Sequence, residues 1–128
     1  MHSKFQKADQ WSHAVIGAAI EVHKTVGPGL LESVYEKCLL RELELQKIPT
    51  EKQVVVPLEY KGCVFEEALR LDILVELKAV ETILPVHKAV VLSYMKMMDV
   101  PLGLLINFHE PMLTAGLNRL ILPGANQA

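Results

Sequence analysis

Apolar and polar positions recur along the first third of the chain with the period of a helix. From Asp9 to Val26, and again over residues 30–47 (LLESVYEKCLLRELELQK), apolar side chains return every three to four positions. Asp9 is a suitable N-cap for the first helix, and Gly-Pro-Gly at 27–29 is a typical stop signal. Pro49 ends the second pattern. The sequence therefore predicts two consecutive helices.

The middle of the chain changes to the composition of β-strands. Residues 53–80 (QVVVPLEYKGCVFEEALRLDILVELKAV) are rich in β-branched and aromatic residues, and Lys61-Gly62 is a turn signal between two strands. This pattern predicts a β-meander. Helical spacing returns over residues 84–99, and residues 101–108 (PLGLLINF) fit a buried strand with proline at its first position. The predicted order is ααβββαβ.

The tail from Met112 to Leu122 fits either a short helix or a strand, because Gly116 interrupts both patterns. With 128 residues, 51% hydrophobic and 22% charged, the chain is long enough for one domain with a hydrophobic core and too short for two ordinary ones. We therefore expect a single α/β (α+β) domain over residues 1–128.

The net charge and the cysteines restrict the expected binding partners and the expected cellular compartment. The formal net charge is −2, so binding to nucleic acid would need a local basic patch rather than an overall positive field. The two cysteines form no CxxC pair, and the chain starts without the pattern of a secretion signal, which predicts a reducing cytoplasm. The apolar runs are too short to span a bilayer.

Three charged residues interrupt the apolar run at 69–81 (LRLDILVELKAVE). Because side chains alternate along a strand, Asp72, Glu76 and Lys78 would share one face with Leu74. One interpretation is a half-exposed strand whose polar face meets water. The other is a metal site, in which carboxylates bind a hard divalent cation and the lysine orients a water or neutralises a phosphate.

Glu32 is a second charged residue in an apolar setting. On a helix it falls within about 40° of Leu39 and Leu43, so a carboxylate would lie within an apolar stripe and would need a partner. Alternatively, a glutamate in the first turn of a helix is stabilised by the positive end of the helix dipole. Both interpretations stand on sequence alone.

Residues 27–43 (GPGLLESVYEKCLLREL), with Gly29, Glu32 and Tyr35, resemble the signature of the GxxExxY family, which is placed in the PD-(D/E)XK nuclease superfamily. The resemblance continues through the segments AAIEVHKTVGPGLLE, RLDILV, ELKAVETILPVHKA, LSYMK and LGLLINF. It implies a restriction-endonuclease-like mixed sheet flanked by helices, and a nuclease that uses Mg²⁺ or Mn²⁺ to act on nucleic acid.

The same resemblance implies a role for five residues. Asp72 and Glu76 would be metal ligands, and the backbone carbonyl of Leu77 would complete the metal site. Lys78 would orient the attacking water or stabilise charge, and Glu32 would be an accessory carboxylate. The alternative is a catalytically inactive nuclease fold that serves as a binding or assembly module.

Two departures from the family pattern are visible. Relatives have a glutamine three residues after the histidine of the third helix, whereas His87 is followed by Val90 at that position. In addition, relatives separate the aspartate from the E-x-K element by enough residues to form a hairpin, whereas only three residues separate Asp72 from Glu76. On one extended strand these two residues would lie roughly 13 Å apart, whereas two ligands of one Mg²⁺ lie within about 4 Å of each other.

Residues 73–75 are Ile-Leu-Val, which are poor turn residues. The spacing therefore predicts one long strand that runs through residues 72–78 in place of a hairpin. Such a strand would carry the third helix away from its own half-domain. We accordingly expect a homodimer in which the segment after Leu77 is exchanged between protomers.

Overall fold

The computed structural model describes residues 2–60, 63–70 and 73–127, with the backbone alone for 51–60 and 63–70. The helices are α1 (Phe5–Val26), α2 (Glu32–Leu45) and α3 (Pro85–Met98). The strands are β1 (Glu51–Tyr60), β2 (Cys63–Arg70), β3 (Leu74–Lys78), β4 (Leu102–Asn107) and β5 (Leu117–Ile121). The predicted order ααβββαβ is confirmed. The tail, which the sequence left open, contains both a 3₁₀ turn (Leu113–Gly116) and β5.

The strands form one mixed sheet in the order β1-β2-β3-β4-β5. The first three strands are an antiparallel meander, β3 and β4 are parallel, and β5 returns antiparallel to β4. Parallel neighbours need a crossover connection, which α3 provides. The sheet flanked by helices is the predicted architecture, and it places β3 at the centre of the sheet.

Helix α1 begins earlier than predicted, so the assignment of Asp9 as its N-cap is wrong. Phe5 and Ala8 are buried and extend the apolar stripe by one more turn, which stabilises the additional helix by burial. Asp9 lies inside α1 and forms an ion pair with Arg119 of β5. None of the helices in the described part of the chain is long and apolar enough to cross a membrane.

The sheet separates two hydrophobic clusters. Helices α1 and α2 cover one face, where Val75 and Leu77 of β3 are buried together with Ile73, which precedes the strand. Helix α3 covers the other face, where its residues Val91 and Met95 are buried together with Leu74 and Leu105 of the sheet. A Cβ atom at Gly103 would lie 2.7 Å from the Met95 sulfur. The glycine therefore allows α3 to lie close to β4.

The predicted long strand through residues 72–78 is wrong. Strands β2 and β3 are antiparallel, with Leu69 opposite Val75 and Arg70 opposite Leu74, so the chain reverses between Arg70 and Leu74. The residues of the Ile-Leu-Val segment, 73–75, are all buried. Burial of both faces outweighs their poor turn propensity.

This hairpin also removes the premise of the exchanged dimer. Helix α3 packs through Val91 and Met95 on the sheet of its own chain, beside Leu105. The segment after Leu77 thus finds its core contacts within one protomer. The roughly 13 Å separation calculated for Asp72 and Glu76 assumed a single extended strand, and that assumption does not hold.

Candidate functional site

A small cavity lies between β3 and α3. Its volume is about 110 Å³, well above the roughly 10–15 Å³ that one water molecule needs. It is lined by Glu76 and Lys78 from β3 and by Val86, His87, Val90, Val91 and Tyr94 from α3. The cavity therefore has room for a phosphate group or a hydrated cation, beside both charged residues that the sequence singled out on this strand.

Glu76 and Lys78 lie on the α3 face of β3, in line with the buried Leu74. The side chains are 12% exposed for Glu76 and 28% for Lys78, and Lys78 Nζ lies 3.9 Å from Glu76 Oε1. Helix α3 covers this face of the sheet, so the charged residues do not lie on a face that simply meets water. Of the two interpretations of the charged strand, the arrangement favours a site.

The end of β3 is held firmly by β4. The Phe108 N–H donates to the Lys78 carbonyl at 2.9 Å. The buried Asn107 side chain accepts from the Val80 N–H at 3.1 Å and donates to the Val80 carbonyl at 2.7 Å. These hydrogen bonds fix the backbone that carries Glu76 and Lys78, as a preorganised site requires.

The carbonyl of Leu77 has a direction that follows from the sheet. Because the Lys78 carbonyl bonds to Phe108 on the β4 side, and successive residues of a strand point their carbonyls to opposite sides, Leu77 C=O points toward β2. The described β2–β3 ladder ends at the pair Leu69–Val75, before Leu77. The role of Leu77 as a metal ligand stays a prediction.

His87 contributes an imidazole ring to the cavity. Its Nδ1 accepts a hydrogen bond from the Leu84 N–H at 2.9 Å, across the first turn of α3. Tyr94 lies two turns further along the same side of the helix, and Val91 between them is buried. Together with Glu76 and Lys78, this histidine and tyrosine give the cavity four polar side chains.

Val90 also lines the cavity, as its departure from the family pattern suggested. The side chain is exposed and apolar, so it offers no hydrogen bond to a ligand in the cavity. Position 90 is therefore an apolar part of the cavity wall.

Glu32 is the first residue of α2 and is exposed. It is not among the described residues that line the cavity, and α2 packs on the opposite face of the sheet. Its place in the first turn of a helix favours the interpretation that it interacts with the helix dipole.

Asp72 lies outside the described residues, so its predicted pairing with Glu76 stays a prediction. Within the part of the chain that the structure describes, no group of three or more histidine, cysteine or acidic side chains could hold a metal ion. In that part, Glu76 is the carboxylate of the cavity.

Sequence reasoning assigned no role in the site to His87, Tyr94 or Asn107. The two residues of α3 are seven positions apart, with Val91 between them, and this spacing places them on one helix face. The signal becomes useful only when that face is known to cover Glu76 and Lys78. In the sequence, Asn107 is only the polar end of a buried strand. Its two hydrogen bonds to the Val80 backbone show that it holds the segment after β3.

Comparison with known proteins gives one match. The sequence model of the PD-(D/E)XK nuclease superfamily matches residues 9–120, which include every predicted site residue. Searches of the curated proteins and of the solved structures gave no significant match.

Proposed function

Since the chain belongs to the PD-(D/E)XK nuclease superfamily, we propose that it is a divalent-metal-dependent nuclease that hydrolyses nucleic-acid phosphodiesters. The site is the cavity between β3 and α3. The observation that carries the proposal is the Glu76-Leu77-Lys78 segment on a central strand, with the carboxylate and the ammonium facing one covered cavity. This is the E-x-K element that gives the superfamily its name.

We further assign the chain to the GxxExxY family, and its signature has a structural explanation in this fold. The Tyr35 hydroxyl donates to the Gly27 carbonyl at 2.6 Å and accepts from the Leu30 N–H at 3.1 Å. Gly29 has φ +93°, which disfavours any residue with a side chain. The tyrosine and the glycine of the signature thus shape the turn that places Glu32 at the start of α2.

The residues of the cavity suit a Mg²⁺ or Mn²⁺ ion. Hard cations take oxygen ligands, and Mg²⁺ is commonly held by one or two carboxylates with waters and substrate phosphates. Glu76 would supply a carboxylate, Leu77 its backbone carbonyl, and Asp72 a second carboxylate. When bound, such an ion supplies an activated water and stabilises the charge of the phosphate.

Lys78 supplies a positive charge next to Glu76. Its Nζ is close enough to the carboxylate for electrostatic attraction, but the 3.9 Å separation is long for a direct hydrogen bond. The ammonium is therefore available to a third group in the cavity. We assign it to the phosphate or to the attacking water, where its charge stabilises the negative charge that develops during hydrolysis.

Cleavage assays test the proposal. Single- and double-stranded DNA and RNA are incubated with the protein in Mg²⁺ or Mn²⁺, alongside Glu76→Gln and Lys78→Met. We expect cleavage by the wild-type protein that falls at least about 100-fold in both variants. Glu36→Gln, which removes a carboxylate from α2 on the other face, is the matched control and should retain activity. Absence of cleavage of every substrate by the wild-type protein would contradict the proposal.

Val90 favours a second candidate function, the inactive binding module. An apolar side chain at the wall of the cavity removes a contact that a catalytic site can use. Calorimetric titration with Mn²⁺ separates the two functions. A nuclease should bind Mn²⁺ through Glu76 and lose that binding in Glu76→Gln. A binding module should show salt-dependent binding of nucleic acid with no Mn²⁺ binding at Glu76.

The homodimer and the cytoplasmic location stay predictions. With the exchange of the segment after Leu77 no longer required by the fold, assembly rests on surface contacts alone. Light scattering at several concentrations decides between a 14.3 kDa monomer and a species of twice that mass.

A further inference from the structure

We propose that His87 is a phosphate-binding residue of this site, which donates a hydrogen bond from Nε2 to a non-bridging oxygen of the bound phosphodiester. The inference rests on the proposed function and adds a substrate-contacting group outside the Glu76-Leu77-Lys78 segment. It follows from the hydrogen bond of His87, its position in the cavity and the charges beside it.

The hydrogen bond from Leu84 determines which nitrogen of the imidazole can donate a hydrogen bond to a ligand. A backbone N–H can only donate, so Nδ1 of His87 must be the acceptor in this 2.9 Å contact. A neutral imidazole carries its single proton on the other nitrogen. The ring therefore presents Nε2–H as a donor and has no second acceptor with which to serve as a base.

The donor nitrogen has no partner among the residues that the structure describes. The contact with Leu84 is the hydrogen bond given for His87, and it occupies Nδ1 alone. The ring is half-buried and lines the same cavity as Glu76 and Lys78. A fixed donor that lines a polar cavity is suited to an anionic ligand.

The charges beside the ring indicate a phosphodiester as that ligand. Glu76 repels an anion unless a cation lies between them, whereas Lys78 attracts one. A neutral donor opposite these two residues adds a directional contact without a further positive charge. His87 would therefore orient the phosphate, while Lys78 and the metal stabilise its charge.

Two substitutions separate the hydrogen bond that His87 accepts from Leu84 from the hydrogen bond that it would donate to the phosphate. His87→Asn can keep an acceptor near the position of Nδ1 for the Leu84 N–H but has no donor at the position of Nε2. His87→Gln can place an amide N–H near the position of Nε2. A structural role predicts that the asparagine variant resembles the wild-type protein, and a phosphate-binding role predicts that the glutamine variant does.

The readout is the affinity for a short DNA oligonucleotide and its RNA counterpart in Ca²⁺, an ion used here to limit cleavage. We expect His87→Asn to weaken binding about 10- to 100-fold at unchanged thermal stability. His87→Gln should recover most of the loss. Equal affinities of the asparagine variant and the wild-type protein would overturn the inference.

Nitrogen-15 NMR of the imidazole gives a second test that needs no activity. The spectrum of the free protein should show His87 with its proton on Nε2, and that proton should shift when the oligonucleotide binds. A proton on Nδ1 would contradict the assignment. If Glu76→Gln and Lys78→Met abolish cleavage while His87→Asn binds normally, the proposed function stands and only the role of His87 falls. If neither nucleic acid binds the wild-type protein in Ca²⁺, the role of His87 falls, and the cleavage assays decide the proposed function separately.

Discussion

The two faces of the five-residue strand β3 carry different kinds of side chain. Toward α1 and α2, Val75 and Leu77 continue the buried run that starts at Ile73, and the apolar cluster is continuous. Toward α3, the apolar cluster includes Leu74 and then gives way to Glu76 and Lys78. One face of the strand is filled with apolar side chains, whereas the other leaves a cavity lined by charges.

This difference separates stability from function within a single strand. Burial of apolar area is the main favourable term in folding, and the α1/α2 face provides most of it. The α3 face gives up part of that burial where Glu76 and Lys78 replace apolar side chains. Substitutions on the two faces should therefore affect different measurements.

The largest expected effect on stability is on the α1/α2 face. Leu104→Ala removes a fully buried side chain from β4, and we expect a loss of about 2–5 kcal/mol in the free energy of unfolding. Val90→Ala, an exposed position on the wall of the cavity, is the control and should change stability by less than about 0.5 kcal/mol. Urea denaturation measures both. Similar losses in the two variants would contradict the distinction between the faces.

A smaller loss should follow from Tyr35→Phe on the same face. The buried hydroxyl donates to Gly27 and accepts from Leu30, and the ring stacks on Phe108 with centroids 4.4 Å apart. Phenylalanine keeps the stacking and removes both hydrogen bonds, so we expect a loss of about 1–3 kcal/mol. A variant as stable as the wild-type protein in the same denaturation experiment would show that the hydroxyl does not hold the turn.

On the α3 face the expected result is the reverse. Glu76→Gln should lower the free energy of unfolding less than Leu104→Ala does, because glutamine keeps the volume of the side chain and no longer has a charge to be covered. The same variant should lose nuclease activity, as a trade-off between stability and function predicts. Thermal denaturation is the measurement, and a strongly destabilised Glu76→Gln would identify the residue as structural.

The smallest effect concerns Asp99, away from both faces. A hydrogen bond from His2 at 2.8 Å lowers the pKa of Asp99 below its ordinary value of 3.8. A lowered pKa means that the stabilisation is present above pH 3.8 and is lost as the pH falls through the lower folded value. His2→Ala should raise the pKa of Asp99 toward 3.8 in an NMR titration. No change in that variant would contradict the role of His2.

The sequence predicted the order of the elements because helical and strand periodicities are local. It also placed Glu76 and Lys78 on one face, since side chains alternate along any strand. The prediction failed where the local conformation depends on contacts with distant segments of the chain. The reversal between Arg70 and Leu74 depends on burial of residues 73–75 by elements from both ends of the chain. The role that we propose for His87 likewise depends on how α3 lies over β3, which no local pattern encodes.

The most direct test of the account is the position of Mn²⁺ on the folded protein. Paramagnetic broadening of backbone NMR signals falls off steeply with distance from the ion, so it reports which face of the sheet binds the metal. We expect the signals of Glu76, Leu77 and Lys78 to disappear first at low Mn²⁺ concentration. Signals of α1 and α2 on the opposite face should persist, and the effect at β3 should be absent in Glu76→Gln. Broadening centred elsewhere, or unchanged β3 signals at millimolar Mn²⁺, would contradict a metal-dependent site between β3 and α3.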